Sequence, residues 1–112
     1  MIKEGIILYN IELNGCLNGV YTNEDKKVLG EIFNEISRIK MTSQIGADGI
    51  SGRYDCFYFD LNNFRVDAEF EITLKKGNIY EFCWWDLHGS KLFQGIGYKM
   101  NEKQIGVHYW SI

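Results

Sequence analysis

The sequence contains no proline, and its basic residues are few and scattered. Proline stiffens linkers and loops, so its absence argues against a proline-stiffened linker. Lysine and arginine never form a run longer than two, and the formal net charge is -3. Because binding to nucleic acid needs a clustered basic face, we expect no nucleic-acid partner.

Long apolar runs and paired cysteines are also missing. No apolar run approaches the ~18–20 residues of a membrane span, and the first residues lack the pattern of a signal peptide. The three cysteines, Cys16, Cys56 and Cys83, lie far apart in the chain. They match neither a disulfide framework nor the spacing of zinc ligands. We therefore expect a cytoplasmic protein without a metal, a cofactor or a membrane partner.

The composition that remains is typical of a globular β-rich domain. The chain has 112 residues, of which 46% are apolar, 24% are charged and 15% are aromatic. This length predicts a single domain over residues 1–112. The balance of apolar and charged residues indicates a folded chain, and the aromatic content favours sheets.

The clearest strand signal lies between residues 78 and 97, which read as two strands joined by a polar turn. Tyr80, Phe82 and Trp84 alternate on one face of the first strand, a pattern typical of a strand with one buried side. The second strand carries glycines at alternate positions, where a close approach of another group needs them. We expect aromatic rings to lie over these glycines in a tightly curved sheet.

Alternation and turn residues predict further strands before and after this pair. They cover Gly5–Leu13, Leu17–Asn23, Arg53–Leu61, Arg65–Leu74 and Gln104–Ile112. The strands from residue 53 onward follow one another through short turns, as in an antiparallel meander. The predicted fold class is therefore mainly β: a small antiparallel up-and-down β-barrel of about eight strands.

Residues 24–40 allow two interpretations. Six apolar residues fall within a ~140° arc at helical spacing, which favours an amphipathic helix. However, Gly30 would cost about 1 kcal/mol in the middle of a helix, and a strand from Gly30 to Ile39 is the rival interpretation. With the helix, the alternative fold is α+β, in which helix 24–40 packs on an antiparallel meander sheet.

Three short segments resemble a known family. Residues 17–23, Leu-Asn-Gly-Val-Tyr-Thr-Asn, resemble the opening strand of avidin-like proteins, and residues 52–54, Gly-Arg-Tyr, resemble their later Gly-Thr-Tyr strand. Residues 82–84, Phe-Cys-Trp, are similar to the strand that carries the tryptophan of the ligand floor. The resemblance implies a small calycin-type barrel with a ligand in its mouth. It also implies the pocket residues Asn23, Tyr54 and Trp84.

The predicted function is a non-enzymatic binding module that takes a small, partly apolar ligand in the barrel mouth. We predict that the ligand-binding residues are Asn23, Tyr54, Tyr80, Phe82 and Trp84. The interior of a small barrel is often packed with side chains, and a filled core would use the same aromatic residues. The alternative is therefore a protein–protein interaction module, such as an inhibitor or immunity-type protein, with a filled barrel.

One polar turn invites a catalytic interpretation, because Asp86, His88 and Ser90 share it. Nucleophilic chemistry needs the serine and its base within hydrogen-bond reach, with a third group that orients the base. Residues grouped on a flexible polar turn rarely hold that geometry. We therefore predict no catalytic residues and no enzyme activity.

Strand alternation also predicts aromatic residues on the outer surface. If Tyr80, Phe82 and Trp84 point inward, their neighbour must point outward, and the same reasoning applies to the other strands. The outer aromatic residues predicted in this way are Phe57, Phe59, Trp85 and Trp110. Because a contiguous apolar patch usually marks an interface, we expect a homo-oligomer through these four residues.

Overall fold

The computed structural model describes residues 4–12, 15–23, 33–59 and 64–112, except for the side chains of Asn23 and Phe33. Within these ranges the chain forms a closed antiparallel barrel of eight strands. Each strand pairs with the next strand in the sequence, and the last strand pairs with the first. The strands are β1 (Glu4–Ile11), β2 (Cys16–Asn23), β3 (Phe33–Ile39), β4 (Gly52–Phe59), β5 (Arg65–Lys76), β6 (Ile79–Trp85), β7 (Lys91–Asn101) and β8 (Gln104–Ser111).

The predicted fold class is confirmed, and its alternative is wrong. A helix over residues 24–40 is contradicted by β3, which pairs with β2 on one side and with β4 on the other. The rest of that helix, residues 24–32, lies outside the described residues. The helical spacing misled because β3 reverses the usual pattern. Its polar residues Glu35 and Ser37 point into the barrel and are buried, whereas the apolar Ile36 points outward.

Stacked aromatic rings fill the middle of the barrel. Phe70 is fully buried, and its ring centroid lies 5.0 Å from that of Tyr54 and 6.0 Å from that of Tyr9. Phe82 extends the stack, with its centroid 5.9 Å from Tyr9 and 5.5 Å from Trp84. Burial of rings of this size is the largest favourable contribution that a core of this kind makes to stability.

The rings need glycine on the neighbouring strand. A methyl group added to Gly97 of β7 would lie 2.7 Å from Cε1 of Phe82. One added to Gly19 of β2 would lie 2.8 Å from Cε1 of Tyr9. Contacts this short do not occur between ordinary carbon atoms, so only glycine allows the rings to approach the backbone so closely. The prediction that aromatic rings lie over the alternate glycines in the second half of residues 78–97, now β7, is confirmed.

The loop of residues 40–51 packs against one end of the barrel, here called the lower end. Its residue Ile50 is buried, and its carbonyl oxygen accepts a hydrogen bond of 2.9 Å from the Tyr54 hydroxyl. Asp48 holds the loop in shape, because its carboxylate accepts hydrogen bonds from the backbone N–H groups of Ile50 and Ser51. The opposite, upper end is where β1, β3, β5 and β7 begin. No helix in the described ranges is long and apolar enough to cross a membrane.

Candidate functional site

The predicted ligand-binding residues lie at different levels of the barrel. Tyr54, Phe82 and Trp84 belong to the ring stack, and each is at most 3% exposed. Tyr80 is also buried, but it lies at the lower end, where β6 begins. Asn23 ends β2 at the upper end, opposite Gly5. The structure therefore brings Tyr54, Phe82 and Trp84 together in the core and leaves Tyr80 and Asn23 at opposite ends.

A buried carboxyl group beside the rings was not predicted. Glu35 of β3 is fully enclosed in the barrel, and its Oε1 accepts a hydrogen bond of 2.6 Å from the Tyr9 hydroxyl. The Ser37 hydroxyl donates to the same oxygen over 3.2 Å. The side chains of Trp84 and Cys56 also donate hydrogen bonds to this carboxyl group. We call Glu35 and these four donors the Glu35 centre.

The electrostatics of the Glu35 centre follow from its burial. Removal from water raises the pKa of the Glu35 carboxyl to about 7, although hydrogen bonds from the four donors lower it. Burial also raises the pKa of the Tyr9 hydroxyl, and the neighbouring carboxylate raises it further. The thiol of Cys56 has a raised pKa for the same two reasons. The side chains of Glu35, Tyr9 and Cys56 thus hold their protons more strongly than they would in water.

The sequence contained one signal for this centre, which the helical interpretation hid. Glu35 and Ser37 are two residues apart, so on a strand they share a face. Ile36 lies between them, and an apolar residue between two polar ones favours the opposite arrangement, with Ile36 buried. A strand whose inward positions are polar can be recognised only when its pairing partners are known, because those partners supply the hydrogen-bond donors.

The outer surface of the barrel carries a contiguous group of exposed apolar side chains. Ile6, Ile96 and Tyr98 are 61%, 54% and 53% exposed, and the others are between 39% and 49% exposed. We call this group the apolar face, and it consists of Ile6, Val20, Ile79, Ile96, Tyr98 and Met100. It spans five neighbouring strands, with its six residues on β6, β7, β1 and β2 and with β8 between β7 and β1.

Strand register shows that the apolar face is continuous. One row runs from Val20 through Leu8 and Gly106 to Tyr98 and Ile79. The adjacent row joins Ile6 to Ile96 through His108. The side chain of Met100 covers the gap at Gly106, since its Cε lies 3.8 Å from the position that a methyl group there would take. Directly opposite residues in antiparallel strands are close enough for their side chains to touch.

The outer surface of β3, β4 and β5 is different in character. Nζ of Lys40, which follows β3, lies 2.7 Å from a carboxylate oxygen of Asp55 and 2.7 Å from one of Glu69. Arg65 pairs with Asp67 over 3.0 Å on the same side. We call this surface the charged face, and it consists of Lys40, Arg53, Asp55, Arg65, Asp67 and Glu69. Its charges pair with one another instead of facing a partner.

The four aromatic residues predicted to form an oligomer interface do point outward, but arginine covers two of them. The guanidinium carbon of Arg65 lies 4.0 Å from the ring centroid of Phe57, and that of Arg53 lies 5.2 Å from Trp85. Trp110 packs beside His108, with ring centroids 5.3 Å apart. Phe59 is 42% exposed and packs edge-on against Phe57. The homo-oligomer through Phe57, Phe59, Trp85 and Trp110 stays a prediction.

The polar turn at residues 86–90 has a structural explanation. Oδ1 of Asp86 accepts hydrogen bonds from the backbone N–H groups of His88 and Ser90, over 2.8 and 3.0 Å. These bonds lower the pKa of the Asp86 carboxyl, with the bond from Ser90 the largest cause. The carboxylate is thus engaged with the backbone of its own turn. Among the described residues, no group of three or more potential ligands could hold a metal ion.

The closed eight-stranded antiparallel barrel agrees with the small-barrel part of the avidin resemblance. Comparison of the chain with family models, curated proteins and solved structures finds no match.

Proposed function

We propose that this protein is a non-enzymatic interaction module, in which a filled barrel presents its apolar face to a partner protein. The observation that carries the proposal is the continuity of the apolar face over five strands. Isolated exposed apolar residues are normal on protein surfaces, but contiguous exposed apolar patches mark interaction sites.

The packing of the interior supports this function over a ligand in the barrel core. The central rings are stacked at centroid distances of 5.0 to 6.1 Å, and a methyl group on Gly97 would already be too close to Phe82. The polar group in the core, Glu35, has its hydrogen-bond donors within the chain itself. A ligand at this level would have to displace rings and break those bonds.

The composition of the apolar face also suits a protein partner. Tyrosine and methionine are enriched in protein interfaces, and tyrosine is among the residues that most often contribute strongly to binding. Tyr98 and Met100 lie beside the exposed aliphatic residues Ile6 and Ile96. Burial of these side chains against a partner would remove apolar area from water at ~25 cal/mol per Å².

Site-specific photo-crosslinking in the cells that produce the protein tests this proposal. A benzophenone amino acid replaces Ile96 on the apolar face in one variant and Thr73 in a control variant. Thr73 is an exposed outward residue of β5, a strand that contributes no residue to the apolar face, and Glu81 of β6 lies between Thr73 and Ile96. We expect a discrete protein adduct from position 96 and none from position 73. Mass spectrometry of the adduct then shows whether the partner is another protein or a second copy of this chain.

Two results would contradict the interaction proposal. One is equal crosslinking from positions 96 and 73, which would indicate collisions without a preferred face. The other is the absence of any adduct from position 96 when the variant is folded and expressed at the level of the wild type. A further Tyr98→Asp substitution should remove the adduct, because it places a charge in the centre of the apolar face.

A second candidate function is the binding of a small, partly apolar ligand at the upper end. Two edge-on ring pairs favour it: Tyr21 with Tyr58 at 6.1 Å, and Phe93 with Tyr109 at 5.5 Å. Tyr21, Tyr58 and Phe93 are partly exposed. Aromatic residues near an opening are typical of small-ligand sites, and the avidin resemblance implies a ligand in the barrel mouth.

A thermal-shift screen of a metabolite library tests the ligand function. A ligand that binds the folded state stabilises it by RT ln(1 + [L]/Kd). A compound that binds at the upper end should raise Tm for the wild type and for Ile96→Ala, and should lose this effect in Phe93→Ala. If no compound raises Tm, or if Phe93→Ala leaves the shift unchanged, a ligand at the upper aromatic residues is refuted.

A further inference from the structure

Glu35 places a carboxyl group in a core that consists mainly of aromatic and aliphatic side chains. The carboxyl group is fully buried, and the hydrogen bonds it receives come from neutral donors. Among the described residues, no lysine, arginine or histidine forms an ion pair with it. A buried carboxylate without a counter-cation is costly, and the usual response of a protein is to keep such a group protonated.

In the part of the chain that the structure describes, the groups that face Glu35 from the surrounding strands carry no positive charge. From β1 comes Tyr9, from β4 comes Cys56, and from β6 comes Trp84, and each donates to the carboxyl group. Tyr109 of β8 lies close enough to Tyr9 to affect its ionisation. Behind Cys56, on the outer side of the wall, lie the acidic Asp55, Asp67 and Glu69, each paired there with Lys40, Arg53 or Arg65. Because these cations pair with carboxylates on the outer surface, none of them acts as the counter-charge of Glu35 in the core.

We propose that Glu35 makes the stability of the barrel respond to protons. The barrel is most stable when the Glu35 carboxyl group is protonated, and it loosens around the Glu35 centre when that group ionises. This response is independent of the partner that the apolar face binds, because it arises inside the barrel.

The direction of the effect follows from proton linkage. In the unfolded chain the Glu35 carboxyl has its ordinary pKa of 4.5, and in the folded barrel burial raises that pKa to about 7. Between these values the folded state binds more protons than the unfolded state, so stability falls as pH rises. One proton changes the unfolding constant by at most about tenfold per pH unit, and by roughly several hundredfold over the whole interval.

Other carboxylates act in a different range of pH. Burial alone would raise the pKa of Asp48, but hydrogen bonds from Ser51 and Ile50 and the charge of Lys99 lower it overall. Backbone hydrogen bonds lower the pKa of Asp86. The stability that these two groups contribute is present above the ordinary carboxylate range and is lost as pH falls below it. A loss of stability between pH 5 and pH 7 therefore has to come from elsewhere.

The test compares the pH dependence of unfolding in the wild type, in Glu35→Gln and in the surface control Glu71→Gln. Denaturant titrations from pH 5 to pH 8 give the unfolding constant at each pH. We expect that constant to rise at least thirtyfold for the wild type and for Glu71→Gln, and to stay within about threefold for Glu35→Gln. His88 and His108 are present in all three proteins, so the difference isolates Glu35.

A second measurement begins with the wild type alone. The 13C chemical shift of the Glu35 carboxyl carbon in the wild type should titrate with a midpoint near neutral pH. In Tyr9→Phe, which removes one donor to the carboxylate, the midpoint should move to higher pH, a change that a purely structural role of Tyr9 would not cause. A midpoint below about pH 5.5 in the wild type, or parallel pH dependence in Glu35→Gln and the wild type, would overturn the proposal.

Discussion

The apolar face and the charged face cover opposite sides of one barrel, and they treat their exposed groups differently. On the charged face, Lys40 lies between two carboxylates, and Arg53 covers the ring of Trp85. On the apolar face, Ile6 and Ile96 lie on either side of His108 with more than half of their surface exposed. Both faces are backed by the same ring stack, so the core does not explain the contrast.

The contrast indicates which face is available for binding. Exposed charges are solvated by water and gain little from a further partner. Exposed apolar area is unfavourable in water and is stabilised only by contact with another apolar surface. A barrel that needed only solubility could carry charges on every outward position. The stability of the barrel therefore does not explain the composition of the apolar face.

The largest expected effect concerns the core that both faces share. Phe82→Ala removes a fully buried ring that stacks on Tyr9, Phe70 and Trp84. We expect a loss of about 3–5 kcal/mol in the free energy of unfolding, because the packed neighbours cannot close the cavity. Denaturant titration measures it, with Ile96→Ala on the apolar face as the control that should cost less than about 1 kcal/mol. Equal costs for the two variants would show that the interior is not packed as described.

The next effect tests whether the glycine of β7 is required by the ring that faces it. Gly97→Ala places a methyl group 2.7 Å from Phe82 Cε1, and we expect a loss of about 1–3 kcal/mol from overpacking. The matched control is Gly106→Ala, where the nearest atom lies at an ordinary 3.8 Å on the outer side. The double variant Gly97→Ala with Phe82→Leu should cost less than the sum of the single variants, since the smaller side chain relieves the contact. Strict additivity would contradict this explanation.

A smaller effect is expected on the charged face. Lys40→Met removes both ion pairs of this lysine, whose hydrogen bonds to Asp55 and Glu69 raise its pKa. Because these pairs are partly exposed, we expect a loss of at most about 1 kcal/mol, decreasing as salt screens the charges. Unfolding at low and high ionic strength measures it. A cost above about 2 kcal/mol that salt leaves unchanged would mean that the charged face is structurally essential.

The smallest expected effect on stability comes from variants that test self-association of this chain. If the protein self-associates at high micromolar concentration, we expect Tyr98→Asp to give monomers with Tm little changed. The double variant Trp85→Ser with Trp110→Ser tests the homo-oligomer predicted through the four outer aromatic residues. Light scattering distinguishes the two, because dissociation of the double variant alone would assign self-association to those aromatic residues.

Much of the barrel could be predicted from the sequence, because β5 and β6 alternate clearly. Tyr80, Phe82 and Trp84 are buried as their alternation indicates, and the outward position of Trp85 follows from it. Short turns between the later strands leave antiparallel pairing as the simplest connection. Barrel closure, by contrast, needs β1 to pair with β8 across almost the whole chain, and local patterns contain no information on that pairing.

The Glu35 centre and the apolar face could not be predicted for related reasons. On β3, Glu35 points inward because Tyr9, Cys56 and Trp84 supply donors from three other strands, which tertiary pairing alone brings together. The apolar face likewise combines exposed residues from four strands, β6, β7, β1 and β2, which β8 joins in the closed sheet. Each of them is an ordinary outward residue on its own strand, and only the register of the closed barrel makes them neighbours.

The most direct test of the apolar face is the affinity of the crosslinked partner for three proteins: the wild type, Tyr98→Asp and Arg53→Ala. Isothermal titration calorimetry gives each Kd, and thermal unfolding shows that both variants remain folded. We predict that Tyr98→Asp raises Kd at least about tenfold, while Arg53→Ala changes Kd less than about threefold. A Kd that responds to Arg53→Ala and not to Tyr98→Asp would place the binding surface on the charged face and contradict the account.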